Sequence, residues 1–138
     1  MVLVFFAEQW RGNLDFELLR QAGVMGVMLD TRYKDSGSLS VKLGHAELQD
    51  FVRHAQQAGM IAGLAGSLRE SDIPDLLALA PDYLGFRGAL CGAAGRMAAI
   101  DGAAVRRIAD RMHDSQRQLA VTMPRGRHPV SKIFAAAQ

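Results

Sequence analysis

The sequence predicts an α/β fold of four βα units with parallel strands, equivalent to half of a (β/α)8 TIM-type barrel; an open doubly wound sheet is the alternative. Three observations predict it. Four short apolar runs recur along the chain: Val2–Phe6, Val24–Leu29, Met60–Ala65 and Tyr83–Phe86. Each is followed by polar or glycine-rich residues and then by a helical pattern of apolar spacing. The runs lack in-and-out alternation, which suits parallel strands buried on both faces. A closed eight-unit barrel needs roughly 200 residues or more, so a chain of 138 residues supplies about half of one.

The helices follow in order. Asn13 is placed to cap a helix over Leu14–Ala22, with Leu14, Leu18 and Leu19 on one face and Gly23 at its stop. Leu48, Phe51, Val52 and Ala55 fall at i, i+3, i+4, i+7, and Gly59 ends that second helix. A third begins near Ser71 and Asp72 with Pro74 in its first turn, turning Ile73, Leu76 and Leu77 inward. A fourth begins at Asp101 and buries Val105, Ile108, Ala109 and Met112. Residues 1–112 are thus expected to form the four-unit domain. Residues 113–138, with Arg117, Arg125, Arg127 and Lys132 and two prolines, are expected to be a basic, partly disordered tail.

Composition sets further limits. Hydrophobic residues make up 49% and charged residues 22%, which is globular composition. Lys and Arg number 16 against 14 Asp and Glu, so the balance of +2 does not point to nucleic acid as a partner. The only cysteine, Cys91, allows neither an intramolecular disulfide nor a Cys-rich zinc site. His45 and His54 lack metal-ligand spacing, so no metal is expected. The run from Val2 to Ala7 is too short to span a membrane and lacks a basic leader region. A soluble, cytoplasmic domain without membrane contact is the expectation.

Ligands of parallel α/β folds bind at the carboxyl ends of the strands. That rule selects Glu8 after the first run, Asp30-Thr31-Arg32-Tyr33-Lys34-Asp35 after the second, Gly66-Ser67 after the third and Arg87-Gly88-Ala89 after the fourth. Asp30 ends an apolar strand, where a charge is costly unless used or paired. Lys34, four residues on, shares a side with it if the segment makes a helical turn, and such a pair can shuttle protons. A plain ion pair at a helix start accounts for the same residues and ranks first on these residues alone. Gly66 permits close backbone approach, and Ser67 offers a hydroxyl near the start of the third helix. Arg87-Gly88-Ala89 adds a second glycine turn beside a guanidinium. Together the two turns are expected to hold a phosphate.

Met28-Leu29-Asp30-Thr31 through Lys34-Asp35, then Leu64-Ala65-Gly66-Ser67, then Gly85-Phe86-Arg87-Gly88-Ala89-Leu90-Cys91 occur in one order and spacing. Over roughly Val2 to Met112 this resembles the C-terminal half of the (5-formylfuran-3-yl)methyl phosphate synthase family, of methanofuran biosynthesis. The resemblance implies a barrel enzyme, a carbon–oxygen lyase that condenses two glyceraldehyde-3-phosphate molecules to a furan aldehyde phosphate through a lysine Schiff base and without a cofactor. It implies that Lys34 and Asp30 handle protons, and that Gly66, Ser67, Arg87, Gly88 and Ala89 hold substrate phosphate. Glu8 stands where the family carries an aspartate, and Asp35 and Glu8 are additional candidates. The family's Schiff-base lysine lies in the N-terminal half, so an impaired activity is expected of this stretch alone. The expected partners are a triose phosphate and either a second copy or an N-terminal half-barrel. A non-catalytic module that binds a phosphate ligand or self-assembles is the alternative.

Overall fold

The computed structural model describes residues 1–33, 35–91, 99–122 and 132–134, the last three through their backbone. Four parallel strands run in sequential order: β1 (Val2–Phe6), β2 (Gly26–Asp30), β3 (Ile61–Ala65) and β4 (Tyr83–Gly85). Their register sets Val4 beside Met28, Met28 beside Gly63 and Gly63 beside Tyr83. A doubly wound sheet reverses its strand order at a switch point. The unreversed order here is that of barrel units.

Helices cover one face of the sheet. Alternate residues of a strand point to opposite faces, and Val27, Leu29, Ala62, Leu64 and Leu84, all fully buried, form the side under the helices. On the other side Val2, Val4 and Ile61 remain 47%, 48% and 45% exposed. The expectation of strands buried on both faces is therefore corrected: the apolar runs reflect a helix-covered face and an uncovered inner one.

Between β1 and β2 lies α1 (Phe16–Gln21). Its cap is Asp15, whose carboxylate accepts the Leu18 N–H at 2.9 Å, and not Asn13. Starting two residues later than expected rotates Leu18 outward, to 61% exposure. Phe16 takes the inward place and packs edge-on against Phe51. After β2 come a short α2 (Leu39–Lys42), which the sequence pattern did not reveal, and α3 (His45–Gln57). Leu48, Phe51, Val52 and Ala55 of α3 are buried, as the spacing predicts. α4 (Ile73–Ala78) buries Ile73, Leu76 and Leu77. At the opposite end of the strands from the loops selected above, the Asp82 carboxylate accepts the Ala62 N–H at 2.8 Å and the Gln56 side-chain amide at 3.2 Å, tying the start of β4 to β3 and α3.

α5 (Gly102–Thr122) continues past residue 112 and buries Ala104, Ile108, Met112 and Ser115, with Val105 and Ala109 half-buried. His113–Thr122, assigned above to the tail, thus extend the fourth helix. A fifth strand, β5 (Lys132–Phe134), pairs in parallel with the outer edge of β4. The rest of the basic tail lies outside the described residues. No helix among them is long and apolar enough to cross a membrane.

Candidate active site

The strand ends present their residues in one plane because the sheet keeps its register: Phe6 sits opposite Asp30, and Ala65 opposite Gly85. Asp30, the last residue of β2, alternates with the buried Leu29 and so belongs to the inner face. Its Oδ1 accepts the Thr31 N–H at 2.6 Å. Lys34 lies outside the described residues.

Gly66 has φ +113°, and its carbonyl accepts the Leu39 N–H at 2.9 Å. Ser67 also adopts a left-handed backbone, with φ +49°. Together these two residues turn the chain sharply away from β3. A 3₁₀ turn at Glu70–Asp72 separates Ser67 from α4, and the Asp72 carboxylate accepts the Arg69 N–H at 2.8 Å. Ser67 therefore precedes the start of α4 and is separated from it by that turn. After β4, Gly88–Leu90 forms another 3₁₀ turn, and the Arg87 carbonyl accepts the Leu90 N–H and the Cys91 thiol.

A cleft of about 430 Å³ opens between these loops. Asp35 and Gly37 line it from the β2 loop, Ser67 from the β3 turn, and Gly88 and Ala89 from the β4 turn. Of the residues selected by sequence, the structure brings together Asp35, Ser67, Gly88 and Ala89. Asp30, Gly66 and Arg87 are not in the lining but immediately precede or carry the segments that form it. Leu68, Arg69 and Glu70 complete the wall and were not selected. The strand-end rule would have reached Arg69 had it been followed two residues beyond Ser67. The described lining thus includes one arginine, two acidic residues and two glycines, Gly37 and Gly88.

Glu8 sits apart from this cleft, in a 3₁₀ turn directly after β1. Its Oε2 accepts the Arg32 N–H at 3.0 Å, and its Oε1 accepts the Tyr33 N–H at 3.2 Å. The Lys42 ammonium lies 3.3 Å from Oε1. Burial pushes this carboxyl upward, but backbone N–H donors from Arg32, Glu8 itself and Tyr33, with Lys42 beside them, outweigh it and hold the pKa at about 2. Glu8 therefore stays charged through the neutral range. The Arg32 guanidinium lies over the Phe6 ring, 5.8 Å from its centre.

Sequential parallel βα units with a polar cleft at their carboxyl ends are the arrangement of (β/α)-barrel units. Within that architecture, the family model described as 4-HFC-P synthase matches residues 1–109, and the chain belongs to this family. A Methylorubrum extorquens protein provisionally named (5-formylfuran-3-yl)methyl phosphate synthase is 44% identical over 114 residues, covering 83% of this chain and 48% of that protein. The (5-formylfuran-3-yl)methyl phosphate synthase of Methanosarcina acetivorans is 40% identical over 72 residues, covering 52% of this chain and 31% of the relative. The chain thus spans about half the length, or less, of these relatives. Among solved structures, an HpcH/HpaI aldolase from Desulfitobacterium hafniense superposes with a TM-score of 0.48 at 13% identity, over 83% of this chain and 48% of the aldolase.

Proposed function

We propose that this chain supplies the proton-handling and phosphate-holding part of a (5-formylfuran-3-yl)methyl phosphate synthase, acting on glyceraldehyde-3-phosphate in the condensation of two such molecules with loss of phosphate and water. The observation that carries this reading is the convergence of the β2, β3 and β4 loops on one cleft, with Asp30 at the end of β2 where the first of these loops begins. In this scheme Arg69 and the Gly88–Ala89 turn hold phosphate, while Asp30 and Lys34 exchange protons with carbon and oxygen of the bound triose. Imine formation between a triose carbonyl and the lysine that the resemblance places in the N-terminal half makes the neighbouring C–H acidic, and a carboxylate and an amine at the strand mouth of this chain then move the protons of elimination and aldol addition.

Incubation of the chain with glyceraldehyde-3-phosphate and the separately expressed N-terminal half of a relative, followed by furan aldehyde absorbance, tests the proposal. Product is expected in this mixture, falling about 10²-fold with Asp30→Asn, the usual scale for removing a general acid–base group. A folded chain that forms no product in the mixture overturns the proposal.

A second reading, an assembly module, is favoured by the exposed apolar inner face at Val2, Val4 and Ile61. Contiguous exposed apolar surface marks association sites, and β1 has β2 as its only strand partner among the described residues. This reading expects a dimer by light scattering at micromolar concentration, converted to monomer by Val4→Glu. A monodisperse monomer in the unaltered chain excludes it.

A further inference from the structure

We infer that Glu8 is a positioning residue: from the end of β1 it fixes the β2 loop that forms one wall of the cleft, and it acts through that loop without touching substrate. The inference deepens the synthase reading and rests on it for its catalytic consequence.

The strand register brings the parts together. Phe6 pairs with Asp30, so a residue just beyond Phe6 faces the backbone just beyond Asp30. Glu8 is that residue, and both of its carboxylate oxygens are turned onto the loop, one on the Arg32 N–H and the other on the Tyr33 N–H. Lys42, at the far end of the loop in α2, closes the circuit. Its ammonium lies 3.3 Å from Glu8 and donates to the Ser36 hydroxyl at 2.6 Å, which in turn donates to the Tyr33 carbonyl at 2.9 Å. On the other flank the Leu39 N–H donates to the Gly66 carbonyl. The loop is thus stitched to the ends of both neighbouring strands. Asp35 and Gly37, which line the cleft, lie between the two stitches.

These bonds carry weight because the acceptor is ionised. Hydrogen bonds to a charged group contribute more than neutral ones, and Glu8 and Lys42 are largely sheltered, with side chains 19% and 15% exposed. A catalytic carboxylate needs an oxygen turned toward the substrate. Both oxygens of Glu8 are committed to the loop.

The test combines a local readout with a functional one. In Glu8→Ala, amide hydrogen exchange at Arg32 and Tyr33 is expected to rise about 10- to 100-fold, while exchange in α3 and β3 stays unchanged. Glu8→Gln retains a carbonyl acceptor and is expected to fall between the two. Turnover of glyceraldehyde-3-phosphate is expected to drop in the same order, through kcat more than KM. Lys42→Met gives an independent arm should Glu8→Ala fail to fold, with raised exchange at Tyr33 expected. Unchanged exchange at Arg32 and Tyr33 in a folded Glu8 variant overturns the inference. A wild-type chain that makes no product together with the N-terminal half of a relative defeats the synthase reading instead, and the exchange measurement still decides the role of Glu8.

Discussion

Replacing Phe51 with alanine is expected to destabilise the fold by about 3–5 kcal/mol, the range for a buried aromatic truncated to a methyl group. Phe51 is 1% exposed and stands at the centre of an aromatic chain. Trp10 meets it edge-on at 5.2 Å and 87°, Phe16 at 5.8 Å and 65°, and Trp10 in turn contacts Phe5 at 6.2 Å. One ring therefore joins the first strand, the turn after it, α1 and α3. Its removal leaves a cavity whose walls belong to several elements, so collapse around it is limited. Phe51→Leu keeps most of the apolar volume and loses the edge-to-face geometry, worth about 0.5–1.5 kcal/mol per pair, so a smaller loss is expected. Urea denaturation measures both. A loss below about 1 kcal/mol for the alanine variant would contradict the central place given to this ring.

Gly66→Ala is expected to destabilise by about 2–4 kcal/mol and to deform the cleft with it. Two effects act together. A φ of +113° is a region that residues with a side chain occupy at a cost of about 1–3 kcal/mol. An added methyl group would also stand 2.6 Å from the Thr31 nitrogen and 2.7 Å from its Cγ2, and Thr31 is fully buried and cannot step aside. The strain falls on the backbone that joins β2 to its loop, directly beside Asp30. Thermal unfolding should show a drop of roughly 10 °C for a chain of this size. Phosphate-induced shifts of the Ser67 and Ala89 amides should weaken in parallel. A variant as stable as the parent would mean that the β3 turn is free to relax, and that Gly66 does not shape the cleft.

The candidate site is partly legible in the sequence. A charge at the end of an apolar run, and glycines just past two others, mark loops at strand ends, because a charge is costly inside an apolar strand and a glycine lets the chain turn after one. Asp35, Ser67, Gly88 and Ala89 reached a common cleft on that logic. Glu8 is selected for the same reason, and its carboxylate accepts backbone N–H groups of the neighbouring loop. Its partners lie 24 and 25 residues away, and their distance in space depends on the pairing of β1 with β2. Lys42 and Ser36 carry no local signature at all, since a lysine and a serine on a polar loop resemble any solvated pair. The cap of α1 was missed because Asn13 and Asp15 are both good capping residues, and the choice between them was made by Phe16 seeking Phe51.

What the sequence determined by itself is the alternation of strand and helix, the parallel arrangement and the end of the sheet where the cleft opens. These follow from apolar spacing and from turn residues, which act over a few positions along the chain. Only the tertiary structure decided which face of the sheet the helices cover, which loop residues share a cleft, and that Glu8 grips the neighbouring loop. Those outcomes depend on strand register and on contacts between residues far apart in the chain, where packing and backbone hydrogen bonds choose among partners that look equivalent in one dimension.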